Sequence, residues 1–388
     1  MQNEGYDVHL VSSAHYAPVE PLDQPILRRA TWRNIRVRTA AGPQAFLQRL
    51  RRRWLRRFRP PVPQLSLHQA LLLHCPGLPR LAAAAAATRA DFFHGHCVAG
   101  LAAAAQAAAS CSAPYGFDAE DFHEAETVEV ERDPFEGAIV RQIMRAYLRG
   151  AKLLTAASPL IAAEYQKTCK VEMEVLLNVF PLRHAPAEPS AARRISASTP
   201  ARLYWFSQTV GPGRGLEGMF EVMARMRTPV ELHLRGFVSG VHAACLRARA
   251  AQAGVGRPLV FLPPESPDEM VRLAAGAELG LALEESCPRN RDLCLTNKIF
   301  VYLLAGIPQV LSQTAAQAAF APELGSAAIL GALERPAQLA LRLDQFFSDA
   351  DQIRAARECA WDLARTRFCW EKEKNKLLAA VRRALPLI

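Results

Sequence analysis

The 388-residue chain contains no Cys-x-x-Cys pair and no regular cysteine framework. Its nine cysteines are an odd number, which argues against a disulfide scaffold or a zinc ribbon and favours reduced thiols in a cytosolic compartment. Met1, Gln2, Asn3 and Glu4 lack the basic start and apolar run of a secretory signal. The closest approach to a membrane span, Cys97 to Ala113, is mostly alanine, includes Gln106 and is too short to cross a bilayer comfortably. Serine and cysteine nucleophile signatures are missing. His94 and His96 have no matching Cys/His/Asp cluster in the sequence, so no metal is expected. Only 22% of the residues are charged and half are hydrophobic, which excludes a disordered chain and suits two domains of ordinary size.

Lysine is missing from residues 1–90, where 14 arginines face 4 acids; the remainder balances at 33 against 33, so the whole net charge of +10 sits in that first stretch. Seven of these arginines (Arg49, Arg51, Arg52, Arg53, Arg56, Arg57, Arg59) fall in one run, interleaved with Phe46, Leu47, Leu50, Trp54, Leu55 and Phe58. At 3.6 residues per turn the apolar residues gather toward one side of a helix. An anionic membrane surface suits residues 46–59. Nucleic acid is a weaker competitor, and a solvated helix packed by its Leu/Trp side is the plain alternative. Between Asp118 and Glu136 stand nine acids, most of them expected in water on a loop and a helix start.

Short β-type runs alternate with helical stretches, the pattern of βαβ units with parallel sheets. Strands are expected at Asp7–Ser12, Asn34–Thr39, Asp91–His94, Pro114–Asp118, Lys152–Ala156 and Glu174–Asn178. After a Pro/Ala/Ser-rich linker they resume at Leu203–Ser207, Val230–Arg235, Leu259–Leu262, Leu279–Leu283 and Pro308–Ser312. The division expected is 1–182, a linker at 183–202, a second domain at 203–368 and a final helix at 369–388. Two such α/β domains make a ligand cleft.

Two stretches carry the chemistry. In Glu284 to Ser312 a polar loop follows a buried strand, Thr296 stands as a cap before a helix starting at Asn297, and Gly306 ends that helix. Lys298 puts a cation in the first turn, against the helix dipole, so something anionic is expected beside it. In Leu203 to Met223 a strand leads into Gly211, Gly213 and Gly215, with Arg214 where a helix begins. Together these aim Arg214, Lys298 and helix N-termini at one point, as a diphosphate requires.

Gly-Pro-Gly-Arg-Gly-Leu-Glu (211–217) and Asn-Lys-Ile-Phe-x-Tyr-Leu-x-Ala-Gly-x-Pro (297–308) resemble the C-terminal domain of a group 1 (family 4) glycosyltransferase of GT-B fold. Asp-Phe-Phe-His-Gly-His (91–96), Tyr115 to His123, and Leu177-Asn178-Val179-Phe180-Pro181 resemble N-domain segments more loosely. The resemblance implies two Rossmann-like domains facing a cleft, and a retaining transfer of sugar from a nucleotide-diphosphate donor to a lipid-linked or polysaccharide acceptor, without cofactor or bound metal. It assigns Arg214 and Lys298 to the donor phosphates, with Gly211, Gly213, Gly215, Thr296, Asn297 and Glu285 about the donor. His94, His96, Asp118, Glu120 and Asp121 fall on the acceptor side. A cytoplasmic protein, peripheral on the inner membrane face, is the place it implies.

The chain departs from the family in three respects. Val301 stands where the donor helix commonly carries a ribose-gripping Glu, and Leu293 where some members have a second. Gln208 replaces a usual cation, and Glu120 a frequent His. Gly5–Ser12 resembles the family's second strand, so a first strand and helix are expected upstream. These departures support a second reading, a catalytically weak protein that binds a sugar nucleotide or a partner. An epimerase-like or phosphorylase-like enzyme on the same fold is a third.

Overall fold

The computed structural model describes residues 1–13, 20–37, 43–189, 191 and 193–385. Contact density divides the chain into two units, one of Met1–Leu176, Pro288–Asn290 and Asn375–Ile388, the other of Leu177–Cys287 and Arg291–Lys374. Both are α/β units with parallel sheets, Rossmann-like in build.

In the first unit β1 (His9–Ser13) pairs with β2 (Arg33–Val37) in parallel. A separate parallel sheet runs β3 (Phe93–His96), β4 (Tyr115–Ala119), β5 (Leu153–Ala156), β6 (Glu174–Val175). The expected strand at Asn34–Thr39 runs into residues 38–40, which lie outside the described ones. The alanine run forms the Cys97–Cys111 helix, buried along most of its length. Its small side chains have a purpose in packing. A Cβ on Gly95 of β3 would meet the Gly100 carbonyl oxygen at 2.4 Å, so strand and helix approach to a distance that only small residues permit. No helix of the described residues is long and apolar enough to cross a membrane.

The strand expected at Glu174–Asn178 stops at Val175. Beyond it the backbone finds partners outside the sheet: Leu177 N–H donates to the Glu373 carboxylate and Leu182 N–H to that of Glu371, while Trp370 N–H donates to the Phe180 carbonyl. Leu176 N–H still reaches the Ala156 carbonyl of β5 at 3.0 Å, and from Leu177 on the N–H groups turn to other partners.

The second unit holds six parallel strands in the order β12-β11-β10-β7-β8-β9. These are β7 (Ala201–Thr209), β8 (Val230–Phe237), β9 (Val260–Leu262), β10 (Leu279–Ala282), β11 (Gln309–Ser312) and β12 (Ala328–Gly331). The last was not expected from sequence, because Ala-Ile-Leu-Gly in alanine-rich surroundings reads as helix. Leu203, Trp205, Phe220, Leu281, Leu283 and Val310 form its core. The Pro/Ala/Ser-rich stretch is anchored here, with Ile195 against that core and Arg193 on Glu278 at 3.0 Å. Chain order reverses between β7 and β10, and such a switch point leaves a ligand crevice beyond the strands' carboxyl ends.

Candidate functional site

Beyond β7 the chain turns through Gly211, Gly213 and Gly215 into the Leu216–Met223 helix. Gly213 and Gly215 have φ of +70° and +72°, a conformation that L side chains rarely adopt. The turn is held from the β10 side. Gly215 N–H donates to Glu285 Oε1 at 3.3 Å, and Arg291 donates to the Gly213 carbonyl. Gly211 meets nothing within 4 Å of where a Cβ would stand.

Beyond β10 the next residue after Leu283 is Glu284, buried at 3% exposure. Its backbone N–H donates to Ser312 Oγ at 2.9 Å. Its carboxylate receives both predicted cations: Lys298 Nζ at 2.8 Å on Oε1 and Arg214 Nη1 at 3.0 Å on Oε2. Burial would raise the Glu284 carboxyl, but Lys298 and Arg214 outweigh it and hold it below the ordinary glutamate value. Lys298 is 4% exposed, a buried cation and not a surface lysine. Its ammonium also lies 5.4 Å from the Trp205 ring centre. The anion expected beside this helix-start cation exists within the chain, and it is Glu284. With two cations against one carboxylate, the cluster keeps one net positive charge.

The Asn297–Leu304 helix begins where expected, but Thr296 makes no side-chain cap bond. Its hydroxyl oxygen is buried without a partner among the described residues, beside an exposed Asn297. Val301 and Leu293 are buried, the former completely, so they fill the core and offer no acceptor to a ligand. Gln208 is exposed. Glu284 was the residue missed. Its signal was its place directly after a fully apolar strand, where a carboxylate is buried unless the strand ends early.

The acceptor-side candidates lie in the first unit. Register pairs His96 with Asp118 across β3 and β4. His96 Nδ1 stands 3.0 Å from Glu120 and 3.5 Å from Asp118. Thr155 hydroxyl donates to Asp118. The hydrogen bond to Glu120 raises the His96 pKa above 6.5 and lowers that of Glu120, whereas burial raises Asp118. These three side chains bring ligand atoms within 4.8 Å of one another. That corrects the expectation of no metal-type cluster: the residues are 22 and 24 apart in sequence, and only the parallel ladder makes them neighbours. The acids are already satisfied by an imidazole and a hydroxyl, and such groups are common without an ion.

His94 shares the face of His96, rings 5.2 Å apart, and occupies room left by Gly116, whose Cβ would meet His94 Nδ1 at 2.7 Å. His94 is an exposed residue, yet desolvation among its neighbours, with the charge of His96 second, pushes its pKa down to about 4. Asp121 does not join this group. It accepts from Asn290 Nδ2 at 2.6 Å, within the Pro288–Asn290 stretch that belongs to the first unit. All nine cysteines are free thiols.

No protein-family model and no curated protein matches the sequence. Solved structures do match in fold. Anabaena HepE, crystallised with UDP and glucose, shares 16% identity at a TM-score of 0.65, covering 96% of this chain and 98% of its own. Sucrose-phosphate synthase from Thermosynechococcus elongatus shares 14% at a TM-score of 0.66, covering 98% and 96%. A glycosyltransferase from Rickettsia africae shares 10% at 0.63, covering 100% and 92%. At these identities the likeness establishes the GT-B fold.

Proposed function

We propose that this protein transfers a sugar from a nucleotide-diphosphate sugar to a lipid-linked or polysaccharide acceptor in the cytoplasm, with retention at the anomeric carbon. The observation that carries this reading is the convergence of Arg214 and Lys298 at the switch point of β7 and β10. As the glycosidic bond breaks, the diphosphate leaves with added negative charge. Cations already in place stabilise that charge without reorganisation. Glu284 fixes where the two cations stand, and the unbonded Thr296 hydroxyl with the N–H groups at the start of the Asn297–Leu304 helix offers further donors to a phosphate oxygen. The named structures support the donor class, since HepE is crystallised with UDP, glucose and UDP-glucose.

In the first unit, the His96–Glu120 pair beside Asp118 is the group we assign to the acceptor hydroxyl. An imidazole held between two carboxylates can hold a hydroxyl proton at Nε2 as oxygen attacks. A panel of UDP- and GDP-sugars in a thermal-shift series, followed by a transfer assay, tests the reading. One donor should raise the unfolding temperature and be consumed; no shift with any of them would overturn it. The buried Val301 favours the second reading, a sugar-nucleotide binder of weak activity, and a donor that stabilises without turnover would establish it.

A further inference from the structure

The arginine-rich Pro43–Arg57 helix turns its apolar stripe outward. Five of the nine large apolar side chains most exposed among the described residues lie on it or at its end: Phe46, Leu47, Leu50, Trp54 and Phe58. At about 100° per residue these fall within an arc of about 120°. The opposite side docks to the first unit, with Leu55 buried, Arg52 donating to the Leu73 carbonyl at 3.0 Å and Arg56 paired with Glu136. Just past the helix end, Arg59 holds Asp133 at 2.6 Å. A helix packed by its Leu/Trp side, the plain alternative from sequence, is therefore excluded. The side that packs is made of arginine stems and one leucine.

We infer that this stripe is a docking surface for an anionic lipid membrane. Charge complementarity selects the occupant. Arg51 and Arg53 flank the stripe on the helical wheel, Arg57 lies just inside its edge between Phe46 and Leu50, and none of the three has an ion-pair partner among the described residues. Trp54 and Phe58 pack ring to ring, centroids 5.6 Å apart, at the end of the stripe. Rings and leucines along one side of the helix with guanidinium groups at its rims match the acyl and headgroup layers of an anionic leaflet. A phosphate backbone would be met by the arginines alone and would leave the five apolar side chains in water. This inference is independent of the sugar-transfer reading, since it concerns binding and no reaction.

The test uses the full chain with phosphatidylcholine vesicles, alone or with about 30% phosphatidylglycerol, an anionic surface that draws basic segments. Affinity for the mixed vesicles should be at least tenfold higher and fall with salt. Brominated acyl chains should quench the Trp54 emission, a signal that Trp54→Phe removes while binding persists. Leu50→Ser with Phe58→Ser should weaken binding at least tenfold without moving the unfolding midpoint, because both side chains are already in water. Arg51→Gln with Arg53→Gln should lose the preference for anionic lipid. No binding, equal binding to both vesicles, an unaffected double-serine variant, or tighter binding to an RNA oligomer than to the mixed vesicles would each overturn the inference.

Discussion

Each unit places a charge cluster at the carboxyl ends of parallel strands, and the two are built on different principles. In the second unit Glu284 and Lys298 are buried, and Arg214, its side chain 32% exposed, closes the group from its edge. In the first, His96 and Glu120 face solvent with side chains 55% and 47% exposed, and one partner is an imidazole whose pKa the hydrogen bond to Glu120 raises. Burial makes the first kind of cluster expensive to break and rigid. Exposure makes the second cheap to break and responsive to pH. A donor diphosphate needs fixed charge, and an acceptor hydroxyl needs a group that exchanges protons, so the difference follows the chemistry proposed for each.

The largest expected effect breaks the buried cluster. Glu284→Gln leaves two cations with no carboxylate and should cost about 3–5 kcal/mol, the range for removing one partner of a buried ion pair. Glu120→Gln should cost no more than about 1 kcal/mol, the range for an exposed pair. Chemical denaturation of the two variants side by side measures the contrast; equal losses would abolish it. Next in size is turnover. Arg214→Ala and Lys298→Ala should each slow donor consumption at least about tenfold, below the loss usual for removing one charge-stabilising donor. Unchanged rates in folded variants would put the leaving group elsewhere.

The exposed cluster is sharpened by pH. With the His96 pKa raised above 6.5, its contribution to stability is complete below 6.5 and is lost as pH rises through the folded value. With Glu120 lowered below 4.5, its contribution is complete above 4.5 and is lost as pH falls through its folded value. The pair therefore acts most fully between those two ordinary values. An NMR titration should place His96 above 6.5, and Glu120→Gln should bring it down. A His96 titrating at or below 6.5 in the unchanged protein would remove the pairing.

Residues that lie close in sequence were the legible ones. The strand before Gly211 and the helix from Asn297 could be read because each is a local pattern of apolar run, turn residue and cap. What escaped depends on partners far along the chain. Glu284 is 70 residues from Arg214, and nothing local separates it from Glu285. The His96–Asp118–Glu120 group exists only through ladder register. The periodicity of residues 46–59 fixed which residues share a side, but which side packs was decided by Leu55 and by acids at 133 and 136. Thr296 has the right composition for a cap, and its hydroxyl still makes no bond.

The smallest predicted effect sets two adjacent acids against each other. Glu285 follows Glu284 directly but is exposed, and its oxygen accepts the Gly215 N–H at the start of the Leu216–Met223 helix. Glu285→Gln keeps a carbonyl acceptor and loses only the favourable charge at a helix N-terminus, which is about 0.3–1 kcal/mol at an exposed site. Glu285→Ala also loses the hydrogen bond, adding about 0.5–1.5 kcal/mol. Neither should approach the loss for Glu284→Gln, although the positions differ by one residue. If the two glutamines proved equally costly in denaturation, burial would not be what distinguishes these carboxylates. The fixed anchor for Arg214 and Lys298 would then have to be sought in the glycine turn that Glu285 holds.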